Sequence, residues 1–186
     1  MLVLAVGCSS GHTAPKSAIV TATGRIGPLH VDRSDRGAII AFAGRPDTEL
    51  RGQEFDSPPY NALGYGCAKK SGADNFSITA GGPACRTIFF LDQKTGKLET
   101  FFTTETRYSE GHGVRIGMRS EKAERFLHKR LFEGCDTDIY VYAPTATLTI
   151  AFTGGRAGKH LHVSGARVYA LVLHSRRRDA GVFDCL

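Results

Sequence analysis

Three stretches of the sequence hold residue types that could do chemistry. His160 and His162 stand two residues apart, so on a strand both side chains would point to one side, as in a metal-binding pair. No third Cys or acidic ligand is evident beside them. The glycine-rich stretch 154–160 lacks the spacing of a phosphate loop and the Ser or Thr that follows its Lys. Ser164, before Gly165, fits a turn better than a hydrolase nucleophile. We therefore predict no catalytic residue, no metal and no cofactor.

The five cysteines divide as one plus four. The absence of a CxxC pair argues against a zinc ribbon or a thioredoxin-type site. Four cysteines permit three pairings, and free buried thiols are the alternative. We expect pairing within each half of the chain, Cys67 with Cys85 and Cys135 with Cys185.

The fifth cysteine, Cys8, closes an apolar opening stretch. Ala5-Val6-Gly7-Cys8 resembles a bacterial lipobox, whose Cys receives the lipid, and Ser, Gly, Thr and Pro follow it as a tether would require. The run is short and lacks a basic n-region, so we expect residues 1–8 to be a truncated lipoprotein signal and 9–22 a tether. Secretion without lipid and a chance Cys are the alternatives. The predicted location is the cell membrane, by lipid anchor, or the extracellular space.

The chain is basic, with a formal net charge of +6, which favours anionic partners. The densest local cluster, Arg176–Arg178, fits a solvated loop between strands. Nothing resembles a helix-turn-helix, a zinc finger or an RNA-binding strand, so nucleic acid is not an expected partner.

The two halves of the chain echo each other. Around Ser34 and Ser120 a short apolar strand leads into Arg-Ser-acid-base and then into an amphipathic segment. Ser34 and Ser120 are predicted helix N-caps, each followed by an acidic residue at the positive helix end. We divide the chain into repeats at 23–106 and 107–186.

Each predicted helix is followed by β-type sequence. Gly44 should end the first helix, and Gly134 the second. A hairpin is predicted across 87–102, and strands at 138–142 and 147–152. The strand 168–173 is apolar on both faces, which indicates a central position. The predicted fold class is α+β: two tandem repeats, each a helix packed on an antiparallel sheet of about three to four strands.

This order of elements resembles the fold of the BamE/SmpA outer-membrane lipoproteins and of the β-lactamase inhibitory proteins. The stretch 42–47, Phe-Ala-Gly-Arg-Pro-Asp, looks like the helix-ending motif of that group, and 114–120 looks like its helix start. The resemblance implies protein binding at the cell envelope without catalysis. Because one scaffold hosts unrelated roles, the resemblance identifies no particular partner.

A candidate binding surface follows from residue type. Tyr and Arg are enriched at binding hot spots, and an uncovered sheet face could present several of them together. The residues predicted there are Tyr140, Tyr142, Phe102, Arg107 and Tyr108. Ordinary core and cross-strand pairing is the alternative for all five.

Taken together, the sequence predicts an exported, lipid-anchored protein that binds an unidentified protein partner at the cell envelope and is not an enzyme. The alternative is an envelope enzyme or ligand-binding module that acts on a cell-wall component.

Overall fold

The computed structural model describes residues 17–53, 60–68, 85–127, 132–136, 139–145, 147–154, 156–157 and 163–175. Within these ranges the chain forms both helices and strands, which confirms the α+β class. The helices are α1 (Arg36–Ala43) and α2 (Ser120–Leu127). The strands, in chain order, are β1 (Ala18–Thr21), β2 (Arg25–Ile26), β3 (Leu29–His30), β4 (Thr48–Gln53), β5 (Tyr60–Cys67), β6 (Cys85–Asp92), β7 (Leu98–Thr103), β8 (Tyr108–Glu110), β9 (Phe132–Asp136), β10 (Ile139–Thr145), β11 (Leu148–Thr153), β12 (Arg156–Ala157), β13 (Val163–Ser164) and β14 (Arg167–His174).

One eight-stranded antiparallel sheet runs through both halves of the chain, in the order β4-β5-β6-β7-β14-β11-β10-β9. The halves join where β7 pairs with β14, with Phe102 opposite Val172 and Phe101 opposite Leu173. Each half supplies four strands, but the strands share one sheet, whereas the sequence predicted a sheet for each repeat. The prediction that 168–173 is a central strand is confirmed, since β14 lies between β7 and β11.

A smaller, four-stranded sheet has the order β3-β2-β1-β8. Strand β1 pairs in parallel with β8, which places Ala18 opposite Tyr108 and Val20 opposite Glu110. A separate short hairpin joins β12 to β13. The first described strand therefore pairs directly with the strand that opens the second half.

The main hydrophobic core is shared by the two larger sheets and both helices. It takes one face of the large sheet, including Phe89 and Phe101, and the inward residues of the small sheet, including Val20. Ile39 from α1 and Ala123 from α2 are fully buried in the same cluster. The helices thus pack into a common core.

The alternate residues of the large sheet form a second buried cluster on its opposite face. Ile88, Phe90 and Phe102 belong to this cluster, together with Ala170 and Val172 of β14. Because successive side chains on a strand point to opposite faces, strands buried on both faces need continuous apolar sequence. This explains the unbroken apolar runs that the sequence shows in β6 and β14.

The helix ends differ in part from the sequence prediction. Asp35 is the N-cap of α1, where its Oδ1 accepts a hydrogen bond from the N–H of Ala38 at 3.1 Å, while Ser34 Oγ accepts from His30 N–H. Gly44 ends α1 as predicted, with φ +85°. Helix α2 begins at Ser120 and ends at Leu127, and the predicted stop Gly134 lies inside β9.

The predicted disulfide between Cys67 and Cys85 is confirmed. The two cysteines face each other across β5 and β6, so the bridge links directly paired positions. A Cβ atom at Gly64 would come within 2.6 Å of Cys85 Sγ, which explains why a residue without a side chain stands there. Cys185 lies outside the described residues, and only the backbone of Cys135 is described, in β9.

We expect the double variant Cys67→Ala/Cys85→Ala to lose about 2–4 kcal/mol in free energy of unfolding, because the bridge restricts the unfolded chain. Urea denaturation followed by far-UV circular dichroism measures the change. Reduction of the native protein should reproduce it, and an unchanged free energy in both experiments would contradict the disulfide's stabilising role.

Candidate functional site

A groove of about 620 Å³ runs beside α2 on the protein surface. Its lining combines four positively charged side chains with two apolar ones and one carboxylate. The lining residues are Arg115, Ile116, Met118, Arg119, Glu121, Lys122 and Arg125.

A turn before α2 positions one wall of the groove. Gly117 has φ +82°, in the region that favours glycine, and its N–H donates to the carbonyl of Val168 at 2.8 Å. The N–H of Val168 donates in return to the carbonyl of Met118, and Ser120 N–H donates to Ala166, each at 2.8 Å. The segment that carries the cations is therefore held by main-chain hydrogen bonds to the start of β14.

The four cations of the groove are exposed and have no ion-pair partner among the residues that the structure describes. Among the carboxylates that the structure describes, none forms an ion pair with Arg115, Arg119, Lys122 or Arg125. The one carboxylate of the lining, Glu121, accepts a hydrogen bond from the N–H of Gly165 at 2.8 Å. Backbone donors, that of Gly165 first, lower the pKa of Glu121. The groove therefore holds an excess of positive charge.

In the first half of the chain, two cations beside the helix form ion pairs. Arg36 of α1 forms an ion pair with Glu49 of β4, with Nη2 and Oε1 2.5 Å apart, and Lys97 Nζ lies 3.4 Å from Asp35 Oδ2. The hydrogen bond from Arg36 lowers the pKa of Glu49. Arg36 and Lys97 are thus paired beside α1, whereas the cations that line the α2 groove have no ion-pair partner among the described residues.

The groove also offers apolar surface. Ile116 and Met118 are half-buried and pack against the main core. Phe126, at the next turn of α2, is 39% exposed, and Lys122 Nζ lies 6.0 Å from its ring centroid. An apolar group of a ligand could therefore contact carbon while its charges meet the surrounding cations.

Two residues of the predicted binding surface are buried, so the prediction is wrong for them. Phe102 is fully buried in the cluster on one face of the large sheet, and Tyr108 is fully buried in the main core on the other face. Arg107 is 15% exposed, forms an ion pair with Glu105, and stacks its guanidinium over the Tyr108 ring at 4.9 Å. Phe102 has no free side because β7 is buried on both faces, and Tyr108 occupies the inward-facing side of β8.

The remaining predicted residues are placed only in part. Tyr140 and Tyr142 lie on β10, opposite Phe152 and Ile150 of β11, and their side chains lie outside the described part of the structure. Cys8, His160, His162 and Arg176–Arg178 also lie outside it.

Sequence reasoning missed the groove. The cations at 119, 122 and 125 follow the three-residue spacing that places side chains along one side of a helix, and this signal is readable in the sequence. What the sequence does not show is that Arg115 joins them across a turn.

Chemically, the groove is suited to binding anions. Guanidinium and ammonium groups keep their positive charge at neutral pH and donate hydrogen bonds to carboxylate or phosphate oxygens. Within the described ranges, no three His, Cys, Asp or Glu side chains are arranged to hold a metal ion. Neither described helix has the length and apolar character to cross a membrane.

Comparison with known proteins gives one structural likeness. No family model matches the sequence, and no curated protein matches it. The chain is similar in fold to the uncharacterised protein YfeY from Escherichia coli, with a TM-score of 0.53, 13% sequence identity, and coverage of 85% of this chain and 100% of that one. At this identity the likeness shows the fold alone. The resemblance to BamE/SmpA lipoproteins and β-lactamase inhibitory proteins stays a prediction.

The buried tyrosines make stability sensitive to alkaline pH. Burial raises the pKa of Tyr108 to about 12 and raises that of Tyr65 well above its usual range. A tyrosine with a raised folded-state pKa gives stability that is present below the unfolded pKa of about 10 and is lost as pH rises through the folded value. We expect the free energy of unfolding to fall between about pH 10 and pH 12.

The variant Tyr108→Phe should lose less stability across that range. It should also cost little at pH 7, because the Tyr108 hydroxyl is buried without a hydrogen-bond partner in the described structure. Tyr65→Phe is the comparison at pH 7, where it should cost more because the Tyr65 hydroxyl donates to the carbonyl of Gly44 at 3.1 Å. Its alkaline loss should also be smaller than that of the native protein, because burial raises the pKa of Tyr65 as well. Urea denaturation at pH 7 and pH 11 tests both, and an unaltered alkaline loss in Tyr108→Phe contradicts the assignment.

Proposed function

We propose that this protein is an exported, lipid-anchored binding module of the cell envelope, and that its α2 groove binds an acidic region of a protein partner without catalysis. The observation that carries the binding role is the set of four cations beside α2 that have no ion-pair partner among the described carboxylates. Unpaired positive charge gathered in one groove attracts and orients anionic partners.

Export is supported by the disulfide between Cys67 and Cys85. Disulfides persist in oxidising compartments such as the periplasm and the extracellular space, and they are rare in the cytosol. The lipobox-like stretch that ends at Cys8 supports an anchor in the same compartment. The predicted tether is shorter than 9–22, because Ala18–Thr21 form β1 and the side chains of Ala18 and Val20 are buried.

The tandem-repeat organisation belongs to the same proposal. Residues 23–106 contain α1 followed by β4 to β7, and residues 107–186 contain α2 followed by the four other strands of the large sheet. A duplicated helix-plus-four-strand unit accounts for this order. Within the described residues, Arg36 and Lys97 beside α1 are ion-paired, whereas the cations of the α2 groove have no described ion-pair partner.

The anchor is tested by Cys8→Ala expressed in a bacterial host with a complete lipoprotein signal. We expect the native protein to partition with membranes and the variant to remain in the aqueous phase after detergent phase separation. Intact mass should show the acyl groups on the native protein alone. Equal partitioning of the two proteins contradicts the lipid anchor.

The binding role is tested by photo-crosslinking in living cells, with the photoreactive residue placed at Met118 in the groove. We expect one dominant protein adduct, whose yield falls at least about fivefold in the variant Lys122→Glu/Arg125→Glu because both cations face the bound partner. Mass spectrometry identifies the adduct. The same probe at Arg45, outside the groove, serves as the control.

A groove-dependent adduct with a cell-wall polymer would support the alternative function, in which the protein binds a wall component and not another protein. An adduct yield that is equal at both probe positions, or insensitive to the charge reversal, contradicts the proposal.

A further inference from the structure

We infer that the α2 groove recognises an extended acidic segment that carries an apolar side chain between its carboxylates. This inference rests on the proposed function and specifies the chemistry of the partner at that site. It follows from the way cations and apolar side chains share the groove.

The charge of the groove sets the charge of its occupant. The lining has an excess of three positive charges, because it holds four cations and the single carboxylate of Glu121. The cations are Arg115, Arg119, Lys122 and Arg125. Glu121 is also held by the N–H of Gly165, so its carboxylate is already engaged. A segment with several carboxylates balances this excess.

The size of the groove favours a short stretch of chain. From Arg119 to Arg125 the helix rises about 9 Å, at 1.5 Å per residue, a length that about three residues of extended chain cover. The volume of about 620 Å³ exceeds by far the roughly 30 Å³ that one water occupies in the liquid, so a single small anion would fill little of it.

The two apolar side chains of the groove favour an apolar side chain within the bound segment. Ile116 and Met118 are half-buried, pack against the main core, and line the groove together with the cations. A bilayer surface presents its charges as a plane of head groups and offers no single aliphatic side chain to Ile116 and Met118. An extended segment can place one aliphatic side chain against Ile116 and Met118 and its flanking carboxylates beside the guanidinium groups.

The probe is a short fluorescein-labelled peptide with a central leucine flanked on each side by aspartate and glutamate. Two matched peptides replace the leucine by serine, or the acids by asparagine and glutamine. Binding to the folded chain is measured by fluorescence anisotropy at low and at raised salt. Inorganic phosphate and vesicles of phosphatidylcholine with phosphatidylglycerol are tested in parallel.

We expect the acidic leucine peptide to bind best, with about tenfold weaker binding for the serine peptide because an aliphatic side chain gains a little over 1 kcal/mol on burial. The neutral peptide should bind at least about tenfold more weakly, and raised salt should weaken the acidic peptides. Lys122→Glu/Arg125→Glu should lose at least about tenfold in affinity. The control Arg33→Glu/Arg45→Glu, which makes the same change in net charge at exposed positions elsewhere, should stay within about twofold. Circular dichroism verifies that both variants fold.

Equal affinity for the acidic and neutral peptides, or equal loss in the groove and control variants, overturns the inference. Groove-dependent binding of phosphate or of the vesicles, with no binding of peptides, overturns it in favour of an anionic head group. If the peptides fail while the cross-link at Met118 still depends on Lys122 and Arg125, the recognition mode is wrong and the proposed function stands.

Discussion

The pairing of β7 with β14 is the constraint on which the rest of the structure depends. It joins the last strand of the first half to the last strand of the second, and it places Phe102 opposite Val172 at the centre of the sheet. Both strands are buried on both faces. If the halves separated at this edge, apolar side chains would be exposed to water and main-chain hydrogen-bonding groups would lose their partners. The two helices and the small sheet then pack onto one face of a sheet that already spans the whole chain.

This arrangement leaves helix surfaces, turns and the outer side of the small sheet exposed, where Ile19 is 56% exposed. The large sheet has a buried cluster on each face, so aromatic residues of its central strands serve the core. The proposed binding site therefore lies outside the layers of the large sheet, where helix surfaces and turns are exposed. The turn at Gly117 and the exposed side of α2 meet this condition, and their cations lie beside half-buried apolar carbon.

The two halves show how similar local sequence can serve different ends. Both halves lead an Arg-Ser-acid-base stretch into a helix of eight residues. In the first, Glu49 on the adjacent β4 neutralises Arg36, and the pair stabilises the local structure. In the second, the acidic residue Glu121 is held by a main-chain N–H, and the cations stay exposed. The presence of an accessible carboxylate, Glu49 in the first half, separates an ion-paired cation from an exposed one.

The sequence by itself determined the elements whose signals are local. Continuous apolar runs predicted β6 and the central β14, Gly44 predicted the end of α1, and the cysteine count predicted the bridge between Cys67 and Cys85. These follow from backbone conformation, side-chain period and chain spacing, which act over a few residues or within one hairpin. Only the tertiary structure decided that the halves share one sheet, that Phe102 and Tyr108 are buried, and that Arg115 joins the cations of α2. Those features depend on which distant strands pair and on what each surface then faces, and no local pattern of residues encodes that choice.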